Sequence, residues 1–102
     1  MRIDGPLIAS QLADVADAAR TMEATGYDGA FTFEGPHDPF LPLVLAAEAT
    51  QRLELTTAVA IAFARNPMTL AHQAWDLQAL SDGRFHLGLG SQIKAHIERR
   101  FS

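Results

Sequence analysis

The chain has no cysteine, one tryptophan, one tyrosine and no apolar run long enough to span a bilayer. Without cysteine there is no disulfide frame and no thiolate metal site. The start, Met1-Arg2-Ile3-Asp4-Gly5, lacks the apolar core of a signal peptide, so a cytoplasmic location and no membrane partner are expected. Basic residues are scarce over most of the length. Residues 1–83 carry four Lys/Arg against eleven Asp/Glu, a net −7, whereas residues 84–102 carry four against one, a net +3. The basic end, with Lys94, Arg99 and Arg100, is short and has Phe101 as its aromatic neighbour. It reads as a solvated helix face rather than a nucleic-acid arm. No group of histidines and carboxylates has metal-ligand spacing, so no metal is expected.

What is present is a globular composition. Of 102 residues, 48% are apolar and 20% charged, which excludes a disordered chain and allows one domain at most. The chain is organised around Leu53 to Pro67, LELTTAVAIAFARNP. Leu53, Leu55, Thr57, Val59 and Ile61 alternate with Glu54, Thr56, Ala58 and Ala60. A strand apolar on one face and small on the other is covered on both sides, as in a parallel sheet flanked by helices. It breaks at Asn66-Pro67, where Asn can cap a helix and Pro can take its first position.

Around it the pattern repeats. Arg2 to Ile8 reads as a first strand, made irregular by Gly5 and Pro6. A helix opens at Ser10 or Gln11, with Leu12, Val15, Ala16, Ala19 and Met22 as its apolar stripe, and Gly26 is its left-handed cap. Gly29 to Glu34 is a second strand with Phe31 and Phe33 on one side. After the loop Gly35 to Pro39, a helix starts either at Pro39 behind Asp38 or at Pro42, and ends near Thr50. Pro67 to about Leu80 is a helix burying Leu70, Ala74, Leu77 and Leu80, with Trp75 at its flank. Asp82-Gly83 stops it, Arg84 to Leu89 is a fourth strand, and Gln92 to about Arg100 a last helical piece.

Such βα units imply parallel strands joined by right-handed crossovers, either in an open doubly wound sheet or in part of a (β/α)8 barrel. In both, sites lie where strands end and helices begin. Those positions hold Glu34, Gly35 and His37, then Arg65 and Asn66, then Gly90, Ser91 and Gln92. The opposite turns, Gly26-Tyr27-Asp28 and Ser81-Asp82-Gly83, read as plain caps.

Three pieces together resemble the bacterial luciferase-like monooxygenase superfamily, and within it the oxidoreductases that use coenzyme F420. They are Arg65-Asn66-Pro67 after a Thr-Ala-Val strand, Leu80-Ser81-Asp82-Gly83-Arg84 at a helix end, and Gly88-Leu89-Gly90-Ser91 closing the fourth strand. The resemblance runs from the first strand to Arg100. It implies the N-terminal half of a TIM barrel: four parallel strands with helices on the outer face, one partial domain over residues 1–102 that stops after strand four. It implies a flavin-type ring, F420 or alternatively FMN, at the strand ends, with hydride transfer to or from a small organic substrate, or oxygen activation when the ring is a true flavin.

Carried over by position, a strand-three bulge with a non-proline cis peptide falls at Ala58-Val59, and Ala58, Val59, Ala60 and Ser91 become cofactor contacts. The catalytic candidates are Glu34, as the acidic residue after strand two, and His37. Many relatives place a histidine directly after that acid; here Gly35 stands there and His37 is the nearest. The cofactor's tail is held in the family by later strands, so the 102-residue chain alone is expected to bind it weakly or not at all and to be inactive.

Structural readings compete at each position. Glu34 and His37 can be solvated loop residues, Asp38 and Asn66 helix caps, and Arg65 the partner of a carboxylate near the strand end. His72 and His86 are expected to pack on a helix and a strand, His96 to face water, and Trp75 to pack helix against barrel. Gly88-Leu89-Gly90 lacks the third glycine of a dinucleotide fingerprint. An alternative to the enzyme is a non-catalytic half barrel whose unpaired edges and apolar interior drive it to form homo-oligomers.

Overall fold

Alternating short apolar runs and helical stripes give the expected order of elements in the computed structural model, which describes residues 1–62 and 65–90. The strands are β1 (Asp4–Pro6), β2 (Gly29–Thr32), β3 (Glu54–Thr57), β4 (Ala60–Ile61), β5 (Phe85–His86) and β6 (Leu89–Gly90). The helices are α1 (Val15–Thr25), entered through a 3-10 turn at Leu12–Asp14, α2 (Leu41–Ala49) and α3 (Pro67–Leu80). Ser91 and the expected last helical piece lie outside the described residues.

Among the described residues every strand pairing is parallel, and the main sheet runs β1-β2-β3-β5 in sequence order, with β4 and β6 paired above it. A doubly wound sheet reverses its order at a switch point; this one does not. All three helices share one core with the sheet. Val15 and Ala19 of α1, Leu43 and Ala46 of α2, and Leu70 and Leu77 of α3 pack with Ala30, Leu55 and Phe85. Helices on one face only, over strands in sequential order, make an arc of a barrel.

The third expected strand is divided. Leu53, Leu55 and Thr57 are buried under the helices, as the alternation required, but the Ala58–Val59 peptide is cis, where the resemblance placed it. Beyond it the period of two fails: Ala58 and Val59 are both exposed, and Ala60 and Ile61 are both buried. The fourth strand divides at the same height. There the Thr57 hydroxyl donates to the Gly88 carbonyl (2.8 Å) and accepts from the Gly88 N–H (2.9 Å), so a side chain bridges the gap in the ladder. A Cβ on Gly88 would run into the Thr57 carbonyl, which requires glycine at that approach.

The face turned away from the helices is mixed rather than uniformly apolar: Arg2 pairs with Asp4 and Glu54, and His86 Nε2 lies 2.7 Å from Glu54, across the strand bases, while Phe33, Leu87 and Leu89 are exposed toward the strand ends. Arg2 and His86 hold the Glu54 carboxyl below its ordinary range. Strand alternation turns these residues away from the helices. Trp75 does not pack helix against barrel but stands 77% exposed on α3, and Leu80 is exposed as well. Leu12, in the 3-10 turn rather than α1, is exposed too.

The helix-to-strand turns are fastened by side chains. Gly26 takes the left-handed cap at φ 107°. The Glu23 carboxylate receives the N–H groups of Gln51, Arg52 and Leu53. Burial works against its ionisation, but those three bonds prevail and hold Glu23 below the ordinary carboxyl range. Arg84 uses all five donors: on Ser81 O, Thr50 Oγ1, Leu53 O, Ala47 O and Thr50 O, at 2.6–3.1 Å. These include carbonyls that the end of α2 leaves without intrahelical partners.

Candidate active site at the strand ends

Backbone amides at the end of an interrupted strand need partners, and at the top of this sheet the partners are side chains. The Glu34 N–H donates to the Val59 carbonyl (3.2 Å), continuing the β2 edge alongside the residues that follow β3. Glu34 Oε1 accepts the Ile61 N–H at 2.6 Å. Arg65, just ahead of α3, donates from Nη1 to Glu34 Oε1 and from Nη2 to Oε2 (2.7 Å), a fork onto a carboxylate. Arg65 Nη1 also donates to the Ile61 carbonyl (2.8 Å), and Asp38 Oδ1 stands 3.6 Å from Nη2.

The pair is enclosed: the Arg65 and Glu34 side chains are 12% and 14% exposed. The guanidinium lies 5.1 Å from the centre of the Phe40 ring, within cation–π reach. The bond to Glu34 raises the Arg65 pKa, desolvation opposes the shift, and the charges of Glu34 and Asp38 add to it.

The cap reading holds at Asn66 and is displaced at Asp38, because α2 starts at neither Pro39 nor Pro42 and has Phe40 as its N-cap. Asp38 Oδ2 accepts the N–H groups of Phe40 and Leu41 (2.7 Å each), so the helix begins at Leu41 with Pro42 inside its first turn. Asn66 Oδ1 accepts the Met68 and Thr69 N–H groups, with Pro67 first in α3. Arg65 does pair with a carboxylate at the strand end. A freely solvated Glu34 does not survive. The period of residues could not reveal its role, because Glu34 and Ile61 meet only when two strands end side by side.

The candidate residues fall into two groups. Glu34, Val59 and Ile61 are joined by hydrogen bonds, with Ala58 and Ala60 in the same segment. Exposed apolar side chains stand at the neighbouring strand ends: Phe33, Val59 and Leu89. Gly90 leaves room for Val59, whose Cγ2 would lie 2.7 Å from a Cβ there. His37, exposed, instead lines a cleft of about 280 Å³ with Asp38, Leu7, Leu12, Leu41 and Pro42, between the loops after β1 and β2. Thr57 and Gly88, which tie the two divided strands together, were not singled out from the sequence. A buried threonine in an apolar strand facing an isolated glycine was the available signal.

Among the described residues, no group of three or more His, Asp or Glu could hold a metal ion. No described helix is long and apolar enough to cross a membrane.

Residues 1–102 match the profile of the luciferase-like monooxygenase family over the whole length. An uncharacterized protein of Mycobacterium tuberculosis strain H37Rv is 60% identical over 102 residues, a match that covers all of this chain and 30% of that one. A provisionally named coenzyme F420-dependent oxidoreductase of the same organism is 40% identical over 76 residues, 74% of this chain and 22% of its own. The fold is similar to that of the oxygenating constituent of 3,6-diketocamphane monooxygenase from Pseudomonas putida, solved in complex with FMN. The TM-score is 0.83 at 17% identity, over 98% of this chain and 32% of that one. The chain thus spans about a third or less of the proteins it matches. On its sequence and on the half-barrel arc of its strands, the chain belongs to the luciferase-like monooxygenase family.

Proposed function

We propose that this chain forms the first half of the ring-binding mouth of a flavin- or deazaflavin-dependent oxidoreductase acting on a small organic substrate. The observation that carries the reading is the segment Ala58–Ala60. It is set at the end of a parallel strand, with Ala58 and Val59 exposed and with apolar Phe33 and Leu89 at the adjoining strand ends. A small residue beside a solvent-facing aliphatic one, at the C-terminal end of barrel strands, suits a flat aromatic ring laid against main chain.

The ring, when bound, supplies hydride transfer, or oxygen activation where it is a true flavin. Ala58 and Val59 would orient it by contact, whereas Ala60, expected from the resemblance as a third contact, is fully buried in the core and would only support them; Ser91 would be a polar contact beside it. The exposed imidazole of His37 is the group that would hold or move a proton, and its cleft is where an organic substrate would sit. Relatives named for F420 and solved with FMN leave both rings open to this chain.

Titration with F420 and with FMN, followed by ring fluorescence, tests the reading. Weak but saturable binding, lost in Val59→Asp, is expected. No saturable binding of either ring would overturn it. A second reading, a non-catalytic half barrel that pairs with its own copies, is favoured by the exposed side chains Phe33, Leu87 and Leu89 and by β1 and β5 as sheet edges. Light scattering at micromolar concentration checks it: a dimer or larger species is expected, and a monomer counts against it.

A further inference from the structure

Glu34 has the residue type of a proton donor, but its bonds are those of a splint. The strand β4 is two residues long and pairs with β6 on one side. On the other side β2 has already ended at Thr32. Ile61 is only 3% exposed, so its N–H needs an acceptor there. Glu34 provides one from its side chain, while its own N–H takes the Val59 carbonyl. Arg65 closes the bracket by holding Glu34 with both Nη groups and the Ile61 carbonyl with one of them. Residue 61 is thus gripped at its N–H by Glu34 and at its C=O by Arg65. Ahead of it, the Val59 carbonyl accepts the Glu34 N–H and the Ala60 N–H donates to the Gly88 carbonyl (2.9 Å).

We infer that Glu34, braced by Arg65, is a positioning residue that fixes the main chain of residues 59–61 for the ring, and is not the group that exchanges a proton. Both carboxylate oxygens serve as acceptors, and three of the bonds they receive would be weakened or lost if one were protonated. A bidentate, charge-assisted contact enclosed from water carries geometric precision as well as strength. The inference rests on the proposed ring site for its purpose, but the bracket itself can be read without any ligand.

Two variants and two measurements test it. Glu34→Gln keeps the chain length and an oxygen for the Ile61 N–H; Glu34→Ala removes both. Amide hydrogen exchange is followed at Val59 to Ile61, with Leu55 in the lower sheet as the internal reference, and ring affinity is followed by F420 and FMN fluorescence. The expected result is exchange about tenfold or more faster at Ile61, whose N–H the Glu34 carboxylate accepts, in Glu34→Ala with Leu55 unchanged. Ring affinity should fall in parallel, and both properties should be partly restored in Glu34→Gln, which keeps an acceptor for the Ile61 N–H but only half of the fork from Arg65.

Unchanged exchange at Ile61 in Glu34→Ala would overturn the bracket. Glu34→Gln losing ring affinity as fully as Glu34→Ala, while its exchange stays slow, would overturn positioning in favour of a role for the charge itself. If neither ring binds the unaltered chain, the ring-site reading fails, and the exchange measurement alone still decides whether Glu34 holds the segment.

Discussion

Arg84 and Arg65 are both partly buried arginines next to divided strands, one at the base of the sheet and one at its mouth. Arg84 directs its donors to neutral acceptors, the carbonyls and hydroxyl that end α2 and enter β3. Arg65 forks onto Glu34, stands near Asp38 and touches one carbonyl. The first arrangement joins pieces of chain that must always be joined. The second places opposite charges at the end where barrel enzymes do chemistry, in a pair that a change of charge can disturb. Residue type alone did not separate them; their partners do.

The comparison sharpens first at Arg84. Arg84→Ala is expected to destabilise the fold by about 3–4 kcal/mol, since five acceptors lose one donor group together. Chemical denaturation measures it, and a loss below about 1 kcal/mol would mean that water replaces the guanidinium without difficulty. Arg65→Ala should cost less, about 2–3 kcal/mol, because Glu34 keeps the Ile61 N–H but loses its counter-charge. The double variant Arg65→Met with Glu34→Gln should recover much of that loss. A double-mutant cycle that shows no coupling would make the two arginines alike.

The smallest effect belongs to Glu23, a carboxylate that joins chain pieces as Arg84 does. Its folded pKa is lowered from 4.5, so its stabilisation is complete above that value and declines as the pH falls through the lower folded one. Glu23→Gln should flatten this acid limb of stability, as thermal melts from pH 6 to pH 3 would record; an unaltered slope would assign the limb to other carboxylates.

Much of this was legible beforehand, for definable reasons. Helices announce themselves by stripes and caps, so Asn66, Gly26 and the stop at Asp82-Gly83 stand where local chemistry alone puts them; Asp82 tolerates φ 55° as aspartate does. Strand three was found by its period of two, yet its division was not, because Thr-Thr-Ala-Val-Ala reads as uninterrupted alternation. Its position came from family likeness rather than from pattern. The charged strand bases escaped because Arg2 with Asp4, Glu54 and His86 come from three strands distant in sequence, and only the register that sets Asp4 beside Gly29 and Gly29 beside Glu54 brings them together. The separation of His37 from the Glu34 bonds was equally invisible, since three residues in a loop fix no direction.

The sheet is in effect a building of two storeys, with β1, β2, β3 and β5 below and only β4 and β6 above. The upper floor is tied to the lower by the Thr57 hydroxyl on Gly88 and by the Glu34 splint. It is therefore the part expected to loosen first, so damage at the mouth should weigh more heavily on ligand handling than on the melting curve.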